Sequence, residues 1–147
     1  MIPEVEKQKP ILVSKLERAE FTVYRPADGL YVTVANGHVL ESTAKDFIAF
    51  LEGEMKRGVS NMSFFHDWWE LDTYEQSARQ RLTEWRRAAP RGTTKDSHVL
   101  VRSKLLAMGV AASAIVLRMV GVEMRAHTDR AAFERALRDA IRHRSAS

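Results

Sequence analysis

His66-Asp67-Trp68-Trp69-Glu70-Leu71-Asp72-Thr73 holds the densest chemistry in this chain. A histidine beside an aspartate can act as a general base with its orienting carboxylate, and imidazole also ligates metals. Both roles need partners that the rest of the sequence does not supply. No His-x-x-x-His or His-Glu-x-x-His spacing occurs, whereas zinc takes three or four ligands of defined geometry. Cysteine is absent, which removes a thiol nucleophile, a disulfide framework and any Cys-based metal centre. A Gly-x-Ser-x-Gly elbow is also missing, and the 7 glycines include no Gly-x-Gly pair. Neither a serine-hydrolase turn nor a glycine cradle for phosphates can therefore be built. These residues point away from an enzyme and call for no metal and no cofactor. His66 and Asp67 are then expected to hydrogen-bond their own loop. One of the two tryptophans can complete the core while the other joins a contact surface, where tryptophan is enriched; a buried pair is the equal alternative.

These residues must be held by regular elements. Glu20–Arg25 and Leu30–Val34 predict an antiparallel hairpin around the turn Pro26-Ala27-Asp28-Gly29, ending at Asn36-Gly37. A helix follows from Ser42 or Thr43, with Thr43 and Asp46 as a capping box and Ala44, Phe47, Ile48, Leu51 and Met55 on one stripe. Val59–Phe65 predicts a short buried strand, and residues 66–72 a loop. A second helix begins near Thr73, carries Tyr74, Ala78, Leu82 and Trp85 on one face, and stops before Pro90. His98–Val101 is the next core strand, and Ser103 caps the apolar helix Lys104–Val120. Val122–Ala126 is the last strand, and Asp129 caps a final helix bearing Phe133, Leu137 and Ile141. Residues 1–18 read as a flexible lead-in, 19–143 as one domain and 144–147 as a frayed tail. Strands alternating with helices place this chain in the α/β class, with a mixed, mostly parallel sheet and about four helices packed on it. Ligands of such sheets collect beyond the carboxyl ends of the strands. His66 and Asp67, Arg102 and Ser103, and His127 are expected at that edge.

A length of 147 residues suits one domain with a core of its own. The longest apolar run, Leu105–Leu117, falls short of the roughly 20 residues that cross a bilayer and reads as a buried helix. With no apolar secretory core near the start and no cysteine, the expected location is the cytoplasm. Residues 1–75 carry 8 Lys+Arg and 13 Asp+Glu, a net of −5, while residues 76–147 carry 15 and 6, a net of +9. Arg79, Arg81, Arg86, Arg87 and Arg91 lie on the second helix or just beyond it. Few aromatics interleave with this charge, so a solvated face fits better than a nucleic-acid surface.

The element order from residue 20 to 143 resembles the STAS and SpoIIAA-like proteins, the anti-sigma-factor antagonists and their SEC14-type relatives. The similarity is carried by the opening hairpin, Gly37-His38-Val39 before Thr43, Leu51-Glu52-Gly53, Asp72-Thr73, Ser103-Lys104-Leu105-Leu106-Ala107-Met108-Gly109 and Asp129-Arg130-Ala131-Ala132-Phe133. It implies a single STAS-like domain acting as a non-catalytic, regulatory protein-interaction module. Antagonists of this kind are phosphorylated by a partner kinase at a serine or threonine that starts a helix, and Thr73 matches that position. Tyr74-Glu75 follows it in place of the family's glycine-containing Asp-Ser-Ser-Gly type of sequence. A capping role for Asp72 or Thr73 explains the same residues. The expected partner surface is His66, Asp67, Trp69, Asp72 and Thr73, with a kinase-like or other protein regulator as partner and a homodimer left open. The alternative function is a small apolar ligand or lipid held in a cavity beside the 104–120 helix.

Overall fold

The computed structural model describes residues 1–16 and 19–146. Seven strands form one mixed sheet: β1 (Leu12–Leu16), β2 (Ala19–Ala27), β3 (Leu30–Val39), β4 (Met62–Asp67), β5 (Leu71–Tyr74), β6 (Thr94–Leu100) and β7 (Glu123–His127). Their order across the sheet is β1-β2-β3-β4-β6-β7, with β5 pairing the far end of β3. β1, β2 and β3 are antiparallel, and every later pairing is parallel. The helices are α1 (Pro3–Glu6), α2 (Glu41–Lys56), α3 (Gln76–Ala88), α4 (Lys104–Arg118) and α5 (Arg130–Ser145). The α/β class and the hairpin-led, mostly parallel sheet agree with the sequence reading.

Strand alternation divides the core into two layers, because successive side chains point to opposite faces. Tyr31, Phe64 and Val99 face α2, α3 and α4, where they meet Phe47, Leu51, Ala78, Leu106 and Val110. Leu30, Val32, Phe65 and Leu100 face the other way, onto Ile2, Val5, Phe133 and Leu137. The expected tight turn is present, with Gly29 at φ +68. Ser103 accepts from the Leu106 amide and Asp129 from the Ala131 amide, so both expected caps are formed.

Several local expectations are corrected. The first sixteen residues form α1 and β1, and Ile2 and Val5 are fully buried. Two apolar anchors and a strand partner order this stretch in spite of its prolines and mixed charge; Glu17 and Arg18, the end of the expected lead-in, lie outside the described residues. At the other terminus α5 runs through the start of the expected tail. Arg144 donates to the Asp28 carbonyl (3.2 Å), the Asn61 carbonyl (2.6 Å) and Ser63 Oγ (2.9 Å), tying the helix to two loops; Ser147 lies outside the described residues. β3 continues past Asn36-Gly37, where β5 becomes its partner. α2 begins at Glu41 with no side-chain cap, and the Thr43 hydroxyl is buried instead.

Candidate functional site

β4 ends in the middle of the expected chemical segment, and that placement determines the fate of its residues. His66 and Asp67 are strand residues, 2% and 5% exposed. As neighbours on a strand they point to opposite faces, so they cannot form a dyad. They also cannot touch a partner, which corrects their assignment to a contact surface. Burial follows from pairing: β4 is flanked by β6 along its whole length and by β3 from Ser63 to Asp67.

On the α3 side His66 belongs to a buried polar chain. Trp68 Nε1 donates to Thr33 Oγ1 (3.1 Å), and His66 Nδ1 lies 2.6 Å from the same oxygen. Arg86 Nη2 lies 2.9 Å from His66 Nε2, and Arg86 Nη1 donates to Ser97 Oγ (3.2 Å). Arginine can only donate, so Nε2 accepts and the imidazole proton sits on Nδ1, directed at Thr33. His66 is thereby held neutral. Burial, reinforced by the Arg86 charge, lowers its pKa well below the ordinary histidine value. Both ring nitrogens are committed, which leaves no free lone pair to act as a base.

Arg86 is 5% exposed and packs 4.9 Å over the Phe64 ring. Among the described residues no carboxylate pairs with it, and burial alone lowers its pKa to about 10. Its Nε is buried without a partner. A buried cation without an acid is costly, because fixed dipoles only partly replace lost hydration. The sequence carries a signal for this burial that the basic composition obscures: Ala78, Leu82 and Arg86 recur at four-residue spacing on one helix face.

On the opposite face Asp67 binds Arg130 through two bonds, Nη1 to Oδ2 (2.9 Å) and Nη2 to Oδ1 (3.1 Å). The Arg130 guanidinium also lies 5.7 Å from the Trp69 ring centre. The two tryptophans thus pack on opposite layers, Trp68 with the first and Trp69 with the second, each half-buried. At the carboxyl edge His98 Nδ1 approaches His127 Nε2 at 2.9 Å, and burial lowers both pKa values. Arg102 is exposed and Ser103 is spent as a cap. Only His127, of the residues expected to converge there, meets another histidine. Among the described residues no group of three or more His, Asp or Glu could hold a metal ion.

Asp72 and Thr73 are exposed, but they belong to β5 rather than to a helix start. The Thr73 hydroxyl bonds His38 Nδ1. Helix α3 begins three residues later with Glu75 at its N-cap position, where the carboxylate accepts from the Glu41 amide and from Ser77 Oγ. Pairing with β3 explains the change: Leu71 is drawn into the core beside Gly37, and extended backbone is retained through Tyr74.

The largest departure from expectation lies in α4. Leu106, Val110, Ser113 and Leu117 are buried, yet Leu105 (76% exposed), Met108 (68%), Ile115 (67%) and Met119 (80%) form an outward stripe. Their spacing of three, seven and four residues keeps them, with Ala112, on one face. The reading of α4 as a wholly buried helix is therefore corrected. The cavity expected beside it exists between α3, α4 and the sheet, lined by Val39, Tyr74, Leu82 and Val110 and measuring about 40 Å³. Space on that scale holds about three waters, and no acyl chain. Close packing closes it: a Cβ on Gly109 would lie 1.9 Å from the Tyr74 hydroxyl.

No protein-family profile matches this sequence, and no curated protein does. Solved structures do match. A protein of the DUF3478 family from Shewanella loihica PV-4, described as uncharacterized and SpoIIAA-like in fold, aligns at a TM-score of 0.59 and 14% identity. That alignment covers 86% of this chain and 98% of the other. An anti-sigma factor antagonist from Mycobacterium paratuberculosis aligns at a TM-score of 0.53 and 12% identity, over 85% and 98% of the two chains. The strand order, the opening hairpin and these alignments give one conclusion: the chain has the SpoIIAA-like, STAS-type fold.

Proposed function

We propose that this chain is a non-catalytic regulatory domain that works by binding another protein through the outer face of α4. The observation that carries this reading is the stripe Leu105, Met108, Ile115 and Met119, each more than half exposed. A helix that is apolar all round belongs in an interior, so the exposed half of α4 calls for a cover. Each such side chain gains about 1.5–3 kcal/mol on full burial, enough for a few of them to anchor a complex. The name of the Mycobacterium structure, an anti-sigma factor antagonist, agrees with a regulatory role for the fold.

Charge narrows the partner. Residues 104–118 contain Lys104 and Arg118 and no acid, and exposed Arg102 precedes them. A second copy packed antiparallel across the stripe would set Lys104 beside Arg118 of the other copy, a like-charge contact. The complementary partner is an apolar helix flanked by Asp and Glu. Thr73 remains the candidate phosphoacceptor for a kinase-like regulator because the residue is exposed on β5; the helix terminus gives it no support. A phosphate there would meet His38 but also Asp72 and Glu75. The same proposal sets the domain in the cytoplasm.

The test is affinity capture with native, Met108→Glu/Ile115→Glu and Thr73→Glu proteins, followed by reconstitution with the purified partner and hydrogen exchange. Protection of residues 105–119 in the complex, and loss of binding only in the α4 variant, support the reading. Protection confined to β5, or self-association mapped to α4, would contradict it.

A further inference from the structure

Sulfur in this chain is confined to 6 methionines, because cysteine is absent. Their surroundings differ. Met62 is fully buried, and Met1, Met55 and Met124 are half-buried against the two core layers. Met108 and Met119 stand mostly in water, at 68% and 80% exposure. Both belong to the outer face of α4, Met108 in the body of the helix and Met119 at its C-cap position. The step from 108 to 119 is close to three helical turns, so the two residues lie in line about 16 Å apart along the axis. Leu105 and Ile115 complete that stripe.

Exposure matters because the thioether is the soft, oxidisable group of a chain without thiols. Hydrogen peroxide transfers one oxygen to it. A sulfur lone pair attacks one peroxide oxygen, and the O–O bond breaks as the S–O bond forms. The departing hydroxide takes the proton of the transferred oxygen and leaves as water. Sulfur loses two electrons and peroxide gains them, so no further co-reactant is required. The product is a polar, chiral sulfoxide in place of an apolar side chain. In the free chain water solvates that oxygen at both positions, and the fold has no reason to respond. Under a partner it would be stripped of water beside Leu105 and Ile115, where an unpaired polar atom is disfavoured.

We infer that Met108 and Met119 are oxidation sites through which peroxide switches off the outer face of α4. The inference rests on the reading of that face as a partner surface, and it adds the chemical signal to which the surface responds. Two sulfoxides interrupt the stripe near both of its ends, while the core methionines are shielded by packing. A thiol-dependent methionine sulfoxide reductase reverses the change: two thiols form a disulfide, water is released and the thioether returns.

The experiment treats the whole chain with dilute hydrogen peroxide, removes the oxidant with catalase and maps each methionine by peptide mass spectrometry. Met108 and Met119 should oxidise about tenfold or more faster than Met62, which is reached only when the core opens, at unchanged melting temperature. Retention on a phenyl column then reads the apolarity of the face without any partner. It should fall in the oxidised native chain, recover after reductase treatment, and stay constant in peroxide-treated Met108→Leu/Met119→Leu, which keeps the apolar volume. The protein captured by the native chain, added after the oxidant is gone, should bind the oxidised chain about tenfold or more weakly and the treated leucine variant as tightly as before. Even oxidation of all the methionines, or a loss that the leucine variant shares, would overturn the inference. So would undiminished binding by the oxidised chain where Ile115→Glu has lost it, and the partner surface would then stand. Native affinity in both the oxidised and the Ile115→Glu chains would overturn the partner surface and the switch together.

Discussion

The cluster around His66 and the outer face of α4 are opposite mismatches between side chain and surroundings. Around His66, a histidine, an arginine, a threonine and a tryptophan indole lie in the interior. On α4, leucine, isoleucine and two methionines lie in water. The first mismatch is largely resolved within the chain, since each donor from Trp68 to Arg86 Nη2 has an acceptor. Nothing among the described residues resolves the second. A satisfied buried network fixes one arrangement of the core, whereas an unsatisfied apolar face is free to bind something else.

The largest effect belongs to His66→Ala, which removes the acceptor of Arg86 and opens a void under Trp68. A loss of about 3–4 kcal/mol in unfolding free energy is expected by denaturant titration; a loss near zero would mean that the network does not hold the core. Acidification is the next test. His66 has its pKa depressed in the folded chain, so the unfolded chain takes up a proton, near pH 6.5, that the folded chain refuses. Stability is therefore fully present above about pH 6.5 and falls as pH drops below it, by up to about 1.4 kcal/mol per unit for this one proton. The depressed values of His98 and His127 act in the same direction. Denaturant midpoints measured between pH 7.5 and 5 should show this slope, and it should shrink in His66→Gln.

Gly109→Ala tests the seam between the two regions. The new methyl would meet the Tyr74 hydroxyl at 1.9 Å but the ring carbon behind it at 3.3 Å. A cost of about 1–2 kcal/mol is expected, and adding Tyr74→Phe should recover most of it. Additive losses in that double-mutant cycle would show that the clash lies elsewhere. The smallest effect on stability is expected from Ile115→Glu, within about 0.5 kcal/mol by thermal melting, because the side chain is already solvated.

Periodicity and turn chemistry made much of the fold legible. Gly29 after Pro26 placed the hairpin, Ser103 and Asp129 placed two helix starts, and Phe133 and Leu137 named the inner face of α5. Elements that depend on distant partners were hidden. β5 looks like a loop because its four residues are extended only through pairing with β3. β1 and α1 look flexible because Val5 and Ile2 give no hint of the pocket that receives them. The site was harder still. Residues 66 and 67 looked reactive from their types alone, and the flanking strands that bury them are up to 33 residues away, as Thr33 is from His66. The exposure of α4 could have been suspected from its lack of any polar face.

The central claim is that the outer face of α4 is a partner surface rather than a packing error tolerated in water. Its most direct test is the affinity of the reconstituted partner for native and Ile115→Glu chains, measured beside their melting curves. Ile115→Glu is expected to weaken binding about thirtyfold or more, equivalent to about 2 kcal/mol, with a melting temperature that hardly moves. Equal affinities for the two chains would contradict it.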